Sequence, residues 1–149
     1  MEAADRPGTL DLLKETCREA VTELDAAAAL FSRVIGDLLL ELAEHTTSGR
    51  MFQLGHEYLI SDYPLTHEVI VTCESRAVSL LDPDADAKEA ALLAELGFES
   101  LLMVPVYVSG ECWGLLEVYG VAGRRFDDAD ARRAEEIVGR TAAVLAAGR

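Results

Sequence analysis

The sequence predicts an α/β (α+β) fold: a three-layer α/β/α sandwich around a central antiparallel sheet of five or six strands. Helical apolar stripes lie near both ends of the chain, and turn residues join neighbouring apolar segments into hairpins, whose strands run antiparallel. The stretch LLMVPVYV, 101–108, contains no polar side chain except one tyrosine hydroxyl. A strand without a wet face must be covered on both faces, which requires helices on each side of the sheet.

The first part of the chain predicts one helix followed by one hairpin. Apolar residues recur at helical spacing over 9–24, and Thr9 is a suitable N-cap. The segments 27–35 and 38–45 are interpreted as two strands that turn at Gly36-Asp37. The second strand alternates, and one of its faces is predicted to hold Leu39, Glu41 and Ala43.

The middle of the chain predicts two helices separated by a short strand. Pro64 is tolerated in a first helical turn and opens a helix over 64–73. The segment AVSLL, 77–81, is interpreted as a short strand. Asp86 is the N-cap of the second helix, and Gly97 ends that helix.

The last part of the chain predicts a hairpin and a closing helix. Ser109-Gly110 turns the apolar hairpin. Asp127 is the N-cap of a helix that runs to about Ala147, and Asp128 and Asp130 favour the positive end of its dipole. We expect the two terminal helices to cover one face of the sheet and the two middle helices to cover the other.

Length and composition argue against several classes of protein. The 149 residues suffice for one domain, and we assign residues 1–8 to an N-terminal tail and 9–149 to a single domain. The net charge of −14 repels phosphate backbones and anionic lipids, so we expect no nucleic-acid or membrane partner. No apolar run approaches the roughly 18 residues that span a bilayer. Because the acidic N-terminus also lacks an apolar signal core, we expect a cytoplasmic protein.

The three cysteines, Cys17, Cys73 and Cys112, lie far apart in the sequence and form no CxxC pair. A zinc site therefore has little support, and we predict no metal. An odd number of cysteines in a chain of this kind predicts free thiols. Cys17 falls on the apolar stripe of the first helix, which indicates a core residue rather than a reactive one.

Three stretches of the chain match a known pattern. In GFESLLMVPVYVSGECWGLLEVYG, 97–120, a helix ending in Gly-Phe leads into a short apolar hairpin. In RRFDDADARRAEEIVGRTAAVL, 124–145, an aromatic residue and acidic caps introduce the final helix. Together with the segment 58–86 between the first hairpin and these stretches, they resemble the GAF domain family over nearly the whole chain. The resemblance implies a GAF/PAS-like version of the predicted sandwich.

The resemblance implies a sensory or regulatory module that binds a small molecule and signals through dimerising terminal helices to an output domain or signalling partner. It places the ligand pocket between the sheet and the middle helices, but it identifies neither the ligand nor a cofactor. On this interpretation the candidate ligand-binding residues are Tyr58, Tyr63, His67 and Ile70 on the cover, and Phe31, Met103, Pro105 and Leu116 on the floor.

Arg33 and Glu117 are the two charged residues within apolar strand segments, and the resemblance places their strands side by side at the sheet centre. One interpretation is a cross-strand ion pair, because a partly buried charge needs a partner. The other is that Arg33 faces the pocket and binds an anionic ligand, which makes it a further candidate binding residue.

The ligands of known GAF domains find little support in this sequence. Cyclic-nucleotide-binding members carry an Asn-Lys pair before a Phe-x3-Asp-Glu motif; Phe126 and Asp130 match, but the Glu is replaced and the chain has no asparagine. Bilin-binding members attach the pigment through a cysteine, often beside a histidine, and Cys73 has no such neighbour. Haem-binding members use an axial histidine, for which His56 and His67 lie in the right region.

No catalytic motif is present, so we do not predict an enzyme. One GAF subfamily reduces free methionine sulfoxide with cysteines near the pocket, which requires an accessible thiolate and a resolving thiol. The local cysteine motifs of that subfamily are absent here. Two alternatives to the sensor stay open: a ligand-free GAF-like module for dimerisation or interaction, and a free methionine sulfoxide reductase.

Overall fold

The computed structural model describes residues 8–47 and 55–148. The predicted tail, residues 1–8, lies outside the described residues except for Gly8, where the first helix begins. The elements in chain order are α1 Gly8–Leu24, β1 Ala28–Ile35, β2 Leu38–Thr46, β3 Glu57–Leu59, a 3-10 turn Ile60–Asp62, α2 Pro64–Thr72, β4 Arg76–Ser79, α3 Ala87–Leu96, β5 Ser100–Val108, β6 Glu111–Gly120 and α4 Asp128–Ala147.

The strands form one six-stranded sheet in the order β3-β2-β1-β6-β5-β4, and every neighbouring pair is antiparallel. This confirms the predicted three-layer sandwich, with the larger of the two predicted strand numbers. The strand not predicted individually is β3, which spans three residues and pairs with Leu38–Leu40. So short a segment has too few residues to show the alternation by which strands are identified in a sequence.

Two cores flank the sheet, one on each face. The core under α1 and α4 contains Leu102, Val104 and Val106 of β5, whereas the core under α2 and α3 contains Leu101 and Met103 of the same strand. The stretch LLMVPVYV therefore lacks a wet face because each of its faces packs against a different pair of helices.

Helix ends follow the predicted capping residues. The Asp86 side chain accepts a hydrogen bond from the backbone of Lys88 at 3.2 Å, and Gly97 ends α3 with a left-handed φ of 85°. Asp127 and Asp130 form a reciprocal capping box at the start of α4, with both hydrogen bonds at 2.9 Å.

The terminal helices lie side by side. The hydroxyls of Thr16 and Thr141 are 2.7 Å apart between them, and Arg133 pairs with Glu23 at 2.6 Å. These contacts place the first turn of α1 beside the last turns of α4. Within the described part of the chain, no helix combines the length and the apolar character needed to cross a bilayer.

Candidate functional site

A cavity of about 350 Å³ lies between the sheet and its cover of β3, α2 and α3. This volume is near the lower end of the range typical of small-molecule sites. Strands β2 and β6 supply the floor, and α3 supplies one wall. The lining residues are Leu39, Glu41, His56, Tyr58, Ile60, Tyr63, Thr66, Glu89, Leu92, Glu95, Leu96, Glu117 and Tyr119.

A β-bulge in β2 separates Glu41, which lines this cavity together with Leu39, from Ala43 on the opposite face of the sheet. Phe31 of β1 pairs with Ala43, but the next residue, Ser32, pairs with Glu41, so Leu42 is skipped. Leu42 and Ala43 both pack toward α1 and α4, and the alternation then resumes one residue out of phase. Bulges of this kind reorient side chains and occur often beside functional sites. Alternation predicts Leu39, Glu41 and Ala43 on one face; this is correct for Leu39 and Glu41 and wrong for Ala43 because of the bulge.

Glu41 is 5% exposed, and its Oε1 has no hydrogen-bond partner among the described residues. Burial raises the pKa of this carboxyl to about 7, Glu44 adds to the shift, and a hydrogen bond with Tyr58 opposes it. Directly across the strand pair, Ser32 is fully buried and its Oγ is likewise without a partner in the part of the chain that is described. Two polar atoms without a partner among the described residues therefore lie on paired positions of β1 and β2, and of the two residues Glu41 lines the cavity.

Glu117 reaches the cavity from β6 by simple alternation. Its neighbours Leu115 and Tyr119 belong to the core on the same face, and Glu117 itself is 7% exposed. Burial raises the pKa of the Glu117 carboxyl to about 8, and the nearby carboxyls of Glu89 and Glu41 shift it in the same direction. At neutral pH this group therefore holds a proton in most molecules.

Glu89 faces the floor from the first turn of α3. It is 2% exposed, and Thr66 of α2 donates a hydrogen bond from its Oγ1 to Glu89 Oε1 at 2.5 Å. Burial raises the pKa of Glu89, while the bond from Thr66 opposes that shift. The cover and the floor thus each contribute buried carboxyls to one space.

Aromatic rings form the wall between β2 and α2. The rings of His56 and Tyr58 have centroids 4.6 Å apart, and Tyr58 meets the edge of Tyr63 at 5.9 Å with an interplanar angle of 83°. The ammonium of Lys88 lies 5.7 Å from the centroid of the Tyr63 ring. The ammonium of Lys88 is therefore within the distance at which a cation–π contact with the Tyr63 ring forms.

The cavity carries a strong excess of acidic groups. Four of its lining residues are glutamates, whereas no lysine or arginine is found among the described lining residues. The described residues also contain no cluster of three or more His, Cys, Asp or Glu side chains arranged to bind a metal ion. The carboxyls are thus distributed around the space rather than gathered at one point.

The predicted cover residues occupy different positions. Tyr58 and Tyr63 line the cavity. Ile70 packs at the margin of the core beneath the cover, and its carbonyl accepts a hydrogen bond from Tyr107 at 3.1 Å. His67 is exposed on α2, because Thr66, one residue earlier, occupies the inward position.

The predicted floor residues fall on three different surfaces. Met103 is buried below the cavity, with its sulfur 3.8 Å from Thr66 Oγ1. Phe31 and Leu116 are not floor residues, because both pack in the core under α1 and α4. Pro105 lies in a separate shallow groove at the edge of β5, beyond the end of β4.

Arg33 fits neither of its two interpretations. Its Nη1 donates hydrogen bonds to the carbonyls of Val34 and Trp113 at 2.7 and 2.8 Å, and its guanidinium lies 4.5 Å from the centroid of the Trp113 ring. In the strand register Arg33 is opposite Gly114, three residues away from Glu117. The expected ion pair is therefore absent, and Arg33 lies outside the cavity.

The glutamates of the cavity are the residues that sequence reasoning missed as site residues. Glu117 gave a signal, as a charge within an apolar strand, but it was assigned to an ion pair. Glu89 lies in the first turn of its helix, where an acidic residue is already expected from the helix dipole, and alternation in β2 does not tell which of its faces meets the cavity. None of these three positions contains a residue type that by itself indicates a ligand.

The cysteines lie outside the cavity and are free thiols. Cys17 is fully buried under the terminal helices, where burial raises its pKa well above the ordinary range. Cys73 is exposed at the end of α2, and Cys112 is half-buried on β6. Cys73 and Pro105 share the edge groove.

The fold matches solved light-sensing domains. The phycoerythrobilin-bound GAF domain from a cyanobacterial phytochrome is 20% identical over 93% of this chain and 85% of that chain, with a TM-score of 0.80. The blue-light-absorbing form of the Thermosynechococcus elongatus PixJ GAF domain is 12% identical over 98% of this chain and 89% of that chain, also with a TM-score of 0.80. The chromophore-binding domain of Stigmatella aurantiaca phytochrome P1 is 17% identical over 91% of this chain and 54% of that chain, with a TM-score of 0.75.

At these identities, structural similarity establishes the fold alone. No curated protein matches the chain in sequence. A family model described as GAF domain, however, matches residues 9–146, which is nearly the whole of the 149-residue chain. The chain therefore belongs to the GAF domain family.

Proposed function

We propose that this GAF domain is a sensory or regulatory module whose cavity binds a small organic molecule. The observation that supports this most directly is Oε1 of Glu41, which has no hydrogen-bond partner within residues 8–47 and 55–148 and is buried beside a space of about 350 Å³. A buried polar group without a partner costs stability, and a ligand that bonds to it removes that cost. A domain used only for dimerisation would gain nothing from such a group.

The bilin named for similar structures is not carried over to this chain. Among the described residues, no cysteine, lysine or arginine lines the cavity, and His56 is the histidine found there. Cys73 is exposed outside it. The same arrangement argues against a methionine sulfoxide reductase, since that chemistry needs a reactive thiol at the bound substrate.

A cavity-filling variant tests the proposed pocket. Leu92 lines the cavity from α3, and Leu92→Trp should occupy much of its volume. Compounds from a metabolite library that raise the melting temperature of the wild type should lose this effect in the variant, because ligand binding stabilises only the folded state.

Leu81→Trp is the matched control, because Leu81 is 64% exposed and outside the cavity lining. It should keep the ligand-induced shift. Equal shifts in the wild type and in Leu92→Trp would show that the compounds bind elsewhere. The absence of any stabilising compound would favour the interaction module.

Dimerisation through the terminal helices is the second part of the proposal. Leu10 at the start of α1 and Val144 near the end of α4 are 47% and 56% exposed, and both lie at the same end of the helix pair. Ala143 and Ala146 are exposed beside Val144 and would allow a second copy of the chain to approach closely.

Multi-angle light scattering tests this pairing. The wild type should form a dimer, and Val144→Arg should form a monomer because it places like charges in the interface. Val121→Arg is the control, since Val121 is 51% exposed but lies outside the terminal helices. A monomeric wild type at high micromolar concentration would contradict the proposed dimer.

A further inference from the structure

We infer that the ligand of this cavity is a small organic cation, an ammonium compound whose charged nitrogen binds between Glu41 and Glu117 and whose carbon skeleton packs against the tyrosine wall. This inference rests on the proposed function and names the chemical class of the ligand. Three observations support it: the distribution of the carboxyls, the unpaired oxygen of Glu41, and the aromatic rings beside them.

The floor of the cavity presents carboxyls from two strands that flank β1. Glu41 comes from β2 and Glu117 from β6, and they are only 5% and 7% exposed. Oε1 of Glu41 has no partner among the described residues, so an acceptor is available for a donor on the ligand. An ammonium group supplies several N–H donors together with a compensating positive charge.

The walls fit the remainder of such a molecule. Tyr58 and Tyr63 present an edge-to-face pair, and the ammonium of Lys88 lies 5.7 Å from the Tyr63 ring centroid. Aromatic faces attract organic cations, more strongly where water is excluded. Leu92 and Leu96 add apolar surface from α3.

Other ligand classes fit less well. An anion would meet four glutamates, and the described lining residues include no lysine or arginine to balance them, only the imidazole of His56. A metal ion needs several ligands at one point, and the described residues contain no group of three or more that could hold one. A neutral ligand could bond to protonated carboxyls, and the response of binding to pH separates that case from a cation.

An ammonium compound should displace protons from the carboxyls that it binds. Burial raises the pKa of Glu41 to about 7 and that of Glu117 to about 8. A cation favours the ionised carboxylates, so its affinity should rise as the pH rises through this range. A neutral ligand that accepts a hydrogen bond from a protonated carboxyl should instead bind more weakly as the pH rises. The titratable and charged groups that face or border this space are Glu41, Glu44, His56, Tyr58, Tyr63, Lys88, Glu89, Glu95, Glu117 and Tyr119.

A matched set of probes tests the charge of the ligand. Phenethylamine, 2-phenylethanol and phenylacetate share a ring and differ in charge, and spermidine is an aliphatic cation for comparison. Calorimetry and ligand-observed NMR should show phenethylamine binding roughly tenfold more tightly than the alcohol at about pH 9, with no measurable binding of phenylacetate. Its affinity should fall roughly tenfold at about pH 6, and calorimetry in buffers of different ionisation enthalpy should detect proton release.

Three charge-neutralising variants, one of them a control, complete the test. Glu117→Gln should remove the preference for the amine over the alcohol and also the proton release. Glu111→Gln loses the same formal charge at the exposed β5–β6 turn and should behave as the wild type. Glu41→Gln should also weaken the binding of phenethylamine. Circular dichroism should show that all three variants are folded.

The outcomes separate the two proposals. If a neutral or anionic compound binds more tightly than every amine, and Leu92→Trp removes that binding, the cation assignment is wrong while the pocket proposal stands. If Glu117→Gln keeps the full preference for phenethylamine, the cation assignment is also wrong. If no compound of any charge stabilises the wild type, both proposals fail.

Discussion

The two faces of the sheet differ in kind, although the same strands supply both. Under α1 and α4 the buried hydroxyls of Thr16 and Thr141 contact each other, and the large side chains around them are apolar. Under α2 and α3 the sheet presents Glu41 and Glu117 to a cavity. Because burial of carboxyls costs stability, the contrast supports the proposal that the second face binds a ligand, whereas the first is packed as an ordinary apolar core.

The largest expected effect is loss of packing on the apolar face. Phe31 is fully buried and meets the edge of Trp113 at 6.0 Å. Phe31→Ala should reduce the free energy of unfolding by about 3–5 kcal/mol, measured in urea, because it removes a large side chain and leaves a cavity.

The comparison requires a truncation on the other face. Leu92 already borders empty space and is only half-buried, so Leu92→Ala should cost about 1 kcal/mol. Similar losses for the two variants would show that the two faces are packed equally well, and would remove the basis for the contrast.

The next effect concerns the dependence of stability on pH. The pKa of Glu117 is raised from an ordinary value of 4.5 to about 8, so between these pH values the folded state holds more protons than the unfolded state. The stability that this group contributes is complete below about pH 4.5 and is lost as the pH rises toward 8. The free energy of unfolding of the wild type should therefore fall between about pH 4.5 and pH 8 because of Glu117.

Glu117→Gln removes the ionisation. Relative to the wild type it should be of similar stability at about pH 5 and more stable by roughly 2–4 kcal/mol at about pH 9. Urea unfolding at both pH values measures this difference, and Glu111→Gln should show no such change. A difference that does not vary with pH would mean that the Glu117 carboxyl is not desolvated.

The same contrast explains how much the sequence could predict. The sandwich followed from LLMVPVYV and from the capping residues Asp86 and Asp127, since these are local patterns with a local cause. A strand with two apolar faces, however, gives no sign of which face meets which helices. The floor residues Phe31 and Leu116 were therefore assigned to the wrong side.

Most of the lining of the cavity could not be predicted, because it depends on details that the periodicity of apolar residues does not encode. One skipped residue in the pairing of β2 turned Ala43 away from the face that Leu39 and Glu41 share, and no alternation rule anticipates where a bulge occurs. On α2, a change of one residue in helical phase, about 100°, brings Thr66 inward and leaves His67 exposed. The predicted Arg33–Glu117 pair failed because the register sets Arg33 opposite Gly114.

The smallest expected effect compares the helix caps on the two faces. Asp127→Ala removes one side of the capping box of α4 and should cost about 1 kcal/mol, as is typical of an N-cap. Asp86→Ala removes the cap of α3 and should cost a similar amount or less. Their consequences for binding should nevertheless differ, because Glu89 belongs to the first turn of α3 and lines the cavity.

We therefore expect Asp86→Ala to weaken phenethylamine binding severalfold and Asp127→Ala to leave it unchanged, both measured by calorimetry at about pH 9. Fraying of the first turn of α3 would displace Glu89 from Thr66, which now holds it at 2.5 Å. Fraying of α4 disturbs only the core on the other side of the sheet. Equal weakening by the two variants would mean that the faces are coupled through the sheet, so that a change in the terminal helices is transmitted to the cavity.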